Sequence, residues 1–160
     1  MMNFEDRIKK AIQRGERRRD ARAEEARAEA LNLDEIKRLH SQYRLQLSEH
    51  IEKCVEQLTG HFPGFKFETI FGDRGWGAAC SRDDLRLQSG RRNNDYSRLE
   101  LTVRPFSDLH VVDLTGKGTI RNKEVYNRNY FEKVEDLDVD KFVELIDAWV
   151  LEYAEMYAAK

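Results

Sequence analysis

Between Val139 and Tyr157 the large apolar residues Val139, Phe142, Val143, Ile146, Trp149, Val150, Tyr153 and Tyr157 recur at steps of three and four. That is the spacing of a helix that must bury one face. Lys141, Glu144, Asp147, Glu152 and Glu155 fall on the opposite side. Asp138 stands where an N-cap carboxylate accepts the first free amide hydrogens, and Asp140 adds negative charge at the positive end of the helix dipole. So one-sided a helix needs a cover from elsewhere in the chain, and this requirement organises everything upstream.

The cover is expected from alternating strands. After Pro63 the period changes to two: Phe65, Phe67 and Phe71 share one face, and Leu99, Leu101 and Val103 share another, with Arg98, Glu100, Thr102 and Arg104 opposite. Trp76 to Ser81 and Leu85 to Gln88 read as strand, separated by Arg82 to Asp84, and Gly90 to Asp95 reads as a polar turn. Leu109 to Leu114 and Thr119 to Tyr126 flank Thr115-Gly116-Lys117-Gly118, which has the composition of a hairpin loop.

Ahead of the strands, Asn32 followed by Glu35 has the form of a capping box. Beyond it Ile36, Leu39, Tyr43, Leu47, Ile51, Cys54 and Leu58 form a stripe close to the 3.6 period, predicting a second core helix that ends near Gly60. Earlier still, Phe4 to Ala30 is rich in Arg, Glu and Ala, good helix formers, but its large apolar residues are confined to Phe4, Ile8 and Ile12. The resulting expectation is an α+β fold: an antiparallel sheet of about five or six strands with two core helices, one before and one after the strands, on one face. Residues 1–31 form a charged helical arm and residues 32–160 a single α+β domain.

Charge narrows the partners only weakly. The chain carries 28 Lys/Arg and 30 Asp/Glu for a net charge of −2, so bulk charge selects none. Residues 66–128 hold twelve Lys/Arg against nine Asp/Glu, whereas residues 129–160 hold three against nine. With two cysteines, Cys54 and Cys80, and no CxxC pair, a disulfide scaffold or a cysteine-rich zinc site is not expected. A cytoplasmic location follows as an expectation, with no signal peptide or membrane span and no membrane partner.

Four patterns bear on chemistry. Gly116-Lys117-Gly118-Thr119 resembles the end of a phosphate-binding loop, yet Val111 occupies the place of its first glycine and Gly118 follows the lysine. Gly72 to Gly77, containing Arg74 and Trp76, can let a ligand approach the backbone while the indole stacks on it. Arg86, Arg98 and Arg104 on the sheet, Arg91 and Arg92 on an adjacent loop, and Arg121, Lys123 and Arg128 farther on form a basic face interleaved with Tyr96, Tyr126 and Tyr130, suited to single-stranded nucleic acid. Asp83, Asp84, Asp95, Glu100, Asp113 and Glu124 dilute it. Finally Phe4, Ile8 and Ile12, at i, i+4 and i+8, are the anchors with which a helix docks into a groove on another protein.

Catalytic patterns are thin: His40, His50, His61 and His110 are scattered without an HExxH pair, there is no GxSxG elbow, and Cys54 falls on the apolar stripe of its helix. No catalytic residue, cofactor or metal ligand is expected. The leading expectation is a non-enzymatic protein-interaction or assembly module, possessing a protein partner or a second copy as its target. A nucleic-acid-binding accessory protein is the alternative, followed by a small-molecule-binding domain or an enzyme without a recognisable motif.

Overall fold

The structure is a computed structural model that describes residues 3–88 and 90–160, with the backbone alone at Arg86 and Gln88. In order it contains helix α1 (Phe4–His61), strands β1 (Lys66–Ile70), β2 (Trp76–Gln88), β3 (Arg91–Val103), β4 (Val111–Ile120) and β5 (Lys123–Lys133), a 3-10 turn at Val134–Asp136, and helix α2 (Val139–Ala158). The five strands form one antiparallel sheet in the order β1-β2-β3-β4-β5, each paired with its chain neighbours. This is the α+β architecture expected from the sequence. By compactness the chain divides into residues 1–38 and residues 39–160.

In the first unit the helix starts at Asn3, whose side-chain Oδ1 accepts from the Asp6 amide at 2.8 Å. Asn32 is not a cap. Helical backbone runs through it, and the Glu35 carboxylate that the capping box required pairs with Arg38 instead, at 2.6 Å and 3.0 Å. Good helix formers on both sides leave Asn32 no reason to interrupt the hydrogen-bond ladder.

In the second unit one sheet face is apolar. The register places Trp76, Ala78 and Cys80 opposite Val103, Leu101 and Leu99, and continues through Leu114, Gly116 and Gly118 to Tyr130, Arg128 and Tyr126. Leu47, Ile51, Val55 and Leu58 of α1 and Phe142, Ile146, Trp149, Val150 and Tyr153 of α2 are buried with it. Asp138 caps α2 as the sequence predicts, accepting from the Asp140 amide. The buried phenols are satisfied: Tyr126 donates to the Trp149 carbonyl at 3.0 Å and Tyr153 to the Thr119 carbonyl at 2.8 Å.

Several local expectations are corrected. Arg82 to Asp84 does not break β2, and of Gly90 to Asp95 only Gly90, at φ 74°, is turn, because Leu85↔Asn94 through Gln88↔Arg91 continue the β2–β3 ladder. β4 pairs β3 only over Arg98–Val103, so the far part of β2–β3 is a two-stranded ribbon with Leu85 and Leu87 exposed. Thr115-Gly116-Lys117-Gly118 is not a loop: all four lie inside β4, and the chain reverses at Arg121-Asn122, which have φ of 47° and 69°. Two consecutive residues at positive φ between paired Ile120 and Lys123 make the tight hairpin whose twist suits antiparallel strands. Asn122 also ties this turn to β3, accepting from the Tyr96 amide at 2.9 Å and donating to the Asn94 carbonyl at 2.7 Å. Phe71 lies beyond β1 and is exposed, while Phe65 is buried against Phe62 and Tyr157.

Candidate functional site

Three surfaces carry the residues singled out from the sequence. On the helix of residues 4–38, Phe4, Ile8 and Ile12 are 73%, 43% and 55% exposed. They lie at one-turn intervals on the same side of the helix, among residues that are themselves exposed. Nothing in that segment buries them.

The second surface is the sheet face turned away from the helices. It holds Glu68 of β1, Arg98, Glu100 and Thr102 of β3, and Thr115 and Lys117 of β4. A polar cleft of about 670 Å³ opens there, lined by Asp73, Arg74, Glu100, Thr102, Arg104 and Lys117 together with Asn127 and Asn129. The arginines around it meet carboxylates. Glu100 accepts from Arg74 at 3.3 Å and from Arg98 at 3.2 Å, and Arg98 also reaches Glu68 at 2.8 Å. Burial works against the charge of Arg98, but hydrogen bonds to Glu68, Glu100 and Tyr96 outweigh it and raise its pKa. Arg104 is 3.9 Å from the Asp113 carboxylate.

The remaining candidates are dispersed. Arg91 and Arg92 are in β3 and not on a loop, and Arg121 sits in the β4–β5 turn, its amide bonded to Ser97 Oγ. Arg128 belongs to the opposite, helix-facing side, where it makes two hydrogen bonds with Glu152 of α2 and lies over the Tyr126 ring at 4.3 Å. The side chain of Arg86 lies outside the described residues. Trp76 is half-buried, and its ring is already stacked by the Arg44 guanidinium of α1 at 3.9 Å. The indole therefore closes the core edge beside α1, and the described cations of the sheet do not converge into one stripe.

A third cluster, formed by His50, Cys54 and Asp147, was not legible from the sequence. His50 and Cys54 are one turn apart on α1, and Asp147 faces them from α2. His50 Nε2 is 2.8 Å from Asp147 Oδ1, Cys54 Sγ donates to the same oxygen at 3.4 Å, and the sulfur is 3.5 Å from Nε2. Cys54 is consequently not an innermost residue of its helix. Val55 and His40 take the buried places, and Cys54 sits half-buried on the flank.

Chemically this is not a nucleophile relay. Such a relay needs the thiol on one imidazole nitrogen and the carboxylate on the other, so that the carboxylate orients the ring while the ring takes the proton. Here both groups meet Nε2. Burial, followed by the hydrogen bond to Asp147 and that residue's charge, pushes the Cys54 thiol up to about 11, the reverse of nucleophile activation. The three donor atoms instead converge on a common point beside an apolar cleft of about 510 Å³, lined by Gln57, Leu58, His61, Phe62, Val150 and Leu151. The only signal available beforehand was the i, i+4 spacing of His50 and Cys54; Asp147 is 93 positions from Cys54.

No helix among the described residues is long and apolar enough to cross a membrane. Compared with known protein families, with curated proteins and with solved structures, the chain matches none.

Proposed function

We propose that the chain is a protein-interaction or assembly module whose docking element is the N-terminal helical arm. One observation carries this reading: Phe4, Ile8 and Ile12 stand exposed as a single apolar stripe on an otherwise charged helix. Covering three such side chains is worth about 1.5–3 kcal/mol each, about 5–9 kcal/mol together. Association costs about 4–15 kcal/mol in lost freedom, so one stripe on a polar surface gives weak binding at best. Stripe against stripe doubles the buried area, which favours a second copy of the arm or an apolar groove of another protein.

Mass by light scattering over a concentration series tests it on the full chain. Self-association that weakens in Phe4→Ala combined with Ile8→Ala, while the melting temperature of the folded chain is retained, supports the reading. A full-length chain that stays monomeric at high concentration, with amides 4–30 unprotected in hydrogen exchange, refutes self-assembly through this arm. The nucleic-acid alternative has less behind it, because Arg74, Arg98 and Arg128 are in ion pairs. Binding of a labelled oligonucleotide that weakens steeply between two salt concentrations would revive it.

A further inference from the structure

We propose that His50, Cys54 and Asp147 form a three-ligand site for a zinc-like divalent transition-metal ion, with a fourth position open to the apolar cleft beside them. The inference is independent of the arm.

Helix geometry supplies the first two donors. Residues at i and i+4 project from the same side of a helix one turn apart, so His50 and Cys54 can bind one ion without any change in backbone. The third donor comes from the helix packed across from them, which closes the set from a second direction. Within the described residues, the ligand atoms of these three side chains all lie within 4.8 Å of one another.

The separations can be compared with those an ion would impose. With bonds of about 2.3 Å to sulfur, about 2.05 Å to imidazole nitrogen and about 2.0 Å to carboxylate oxygen, tetrahedral angles give donor separations of about 3.6 Å for S to N, about 3.5 Å for S to O and about 3.3 Å for N to O. The structure has 3.5 Å, 3.4 Å and 2.8 Å. Two edges of the coordination tetrahedron are therefore already in place. The third is a hydrogen bond, and it lengthens by about half an ångström once a metal replaces the shared proton.

Donor type narrows the ion. One thiolate, one imidazole and one carboxylate oxygen suit zinc and neighbouring transition metals, whereas magnesium and calcium demand oxygen sets. Binding is also balanced in protons: the Cys54 thiol loses its S–H proton to solvent, His50 gives up the Nε2 proton it shares with Asp147 and binds as the neutral tautomer with its one hydrogen on Nδ1, and Asp147 enters as the carboxylate. Access is open, with the Asp147 side chain 48% exposed and that of His50 26%. His61 lines the same cleft but lies seven residues beyond Cys54, about 10 Å along the helix axis, and is no part of this set. Three protein ligands and one open position are the arrangement of sites at which a metal holds water or a small ligand.

The test uses the untagged full chain, kept reduced, with Zn²⁺ and with Co²⁺ as a spectroscopic substitute. The expected result is one equivalent of Zn²⁺ retained per chain after desalting, and a Co²⁺ complex with a thiolate-to-metal charge-transfer band and tetrahedral ligand-field bands. Cys54→Ser should abolish the charge-transfer band, and Asp147→Asn, on the more exposed flank, should lower affinity about tenfold or more while leaving the metal-free circular dichroism unchanged. His61→Ala should bind as the wild type does. Absence of stoichiometric retention by the wild type, or a charge-transfer band that survives in Cys54→Ser, overturns the proposal, as does unaltered affinity in folded Asp147→Asn.

Discussion

Gly116→Ala is the substitution that most directly tests how the sheet receives α2. A Cβ built on Gly116 falls 2.7 Å from Cε3 and 3.0 Å from Cζ3 of Trp149. That ring cannot move aside cheaply: Trp149 is only 5% exposed, its carbonyl is held by the Tyr126 hydroxyl, and the Arg128 guanidinium lies 5.8 Å from the ring. Two effects oppose each other. Alanine lowers the entropy of the unfolded chain relative to glycine, so folding loses less and gains about 0.5–1 kcal/mol, whereas overpacking a well-filled core costs about 1–3 kcal/mol. The net expectation is a loss of about 1–2 kcal/mol. With an m-value of about 2 kcal/mol/M, the urea midpoint falls by about 0.5–1 M. Lys117→Ala, at the exposed neighbour on the other face, should stay within about 0.5 kcal/mol. In Trp149→Phe the collision is relieved, so the double variant should be less destabilised than the sum of the two single ones, by more than about 0.5 kcal/mol. Strict additivity, or a neutral Gly116→Ala, would show that the glycine is not there to seat the indole.

Ile146→Ala on the buried face of α2 should lower stability by about 2–5 kcal/mol in chemical denaturation, while Glu144→Ala on the exposed face should change it little. His40 gives a pH signature. Its Nε2 is buried without a hydrogen-bond partner among the described residues, and burial, aided by the charge of Arg44, holds its pKa below the ordinary 6.5. The unfolded chain therefore binds the His40 proton more readily than the folded one. This contribution to stability is complete above about pH 6.5 and is lost as the pH falls through that value toward the depressed folded pKa. Replacing His40 by Leu should flatten the fall of the urea midpoint between about pH 7 and pH 5, and an unaltered slope would dismiss the assignment.

Where one face of an element is buried, the sequence spelled it out. Asp138 with the stripe of α2, and the alternation of Leu99, Leu101 and Val103, were readable because packing imposes a period on them. In the far part of the β2–β3 ribbon, from Leu85 to Asn94, the described side chains are exposed, so Arg91 to Asn94 carry no alternation and look like a turn despite being paired. The Gly116-Lys117-Gly118 segment misled for the opposite reason. Its glycines leave room for Trp149, Tyr126 and Tyr153 rather than for a reversal of the chain, and Cβ clearance is not visible in a local pattern. Asn32 failed as a helix start because capping residues act only where the backbone leaves the helix. The His50, Cys54 and Asp147 cluster escaped notice since its third member arrives through tertiary packing.

The nearest-neighbour order of the strands has a consequence in time. Each hairpin from β1 to β5 closes over a short stretch of chain, a low entropic cost that favours rapid zipping of the sheet. Closing the layer above it is a different event, for it brings together His50 and Asp147, 97 positions apart. Since α2 follows every strand, it also leaves the ribosome after all of them. Until it arrives, the seat at Gly116 lacks the cover of Trp149, so the nascent protein passes through an interval in which a five-stranded sheet displays the part of its apolar face that α2 later buries.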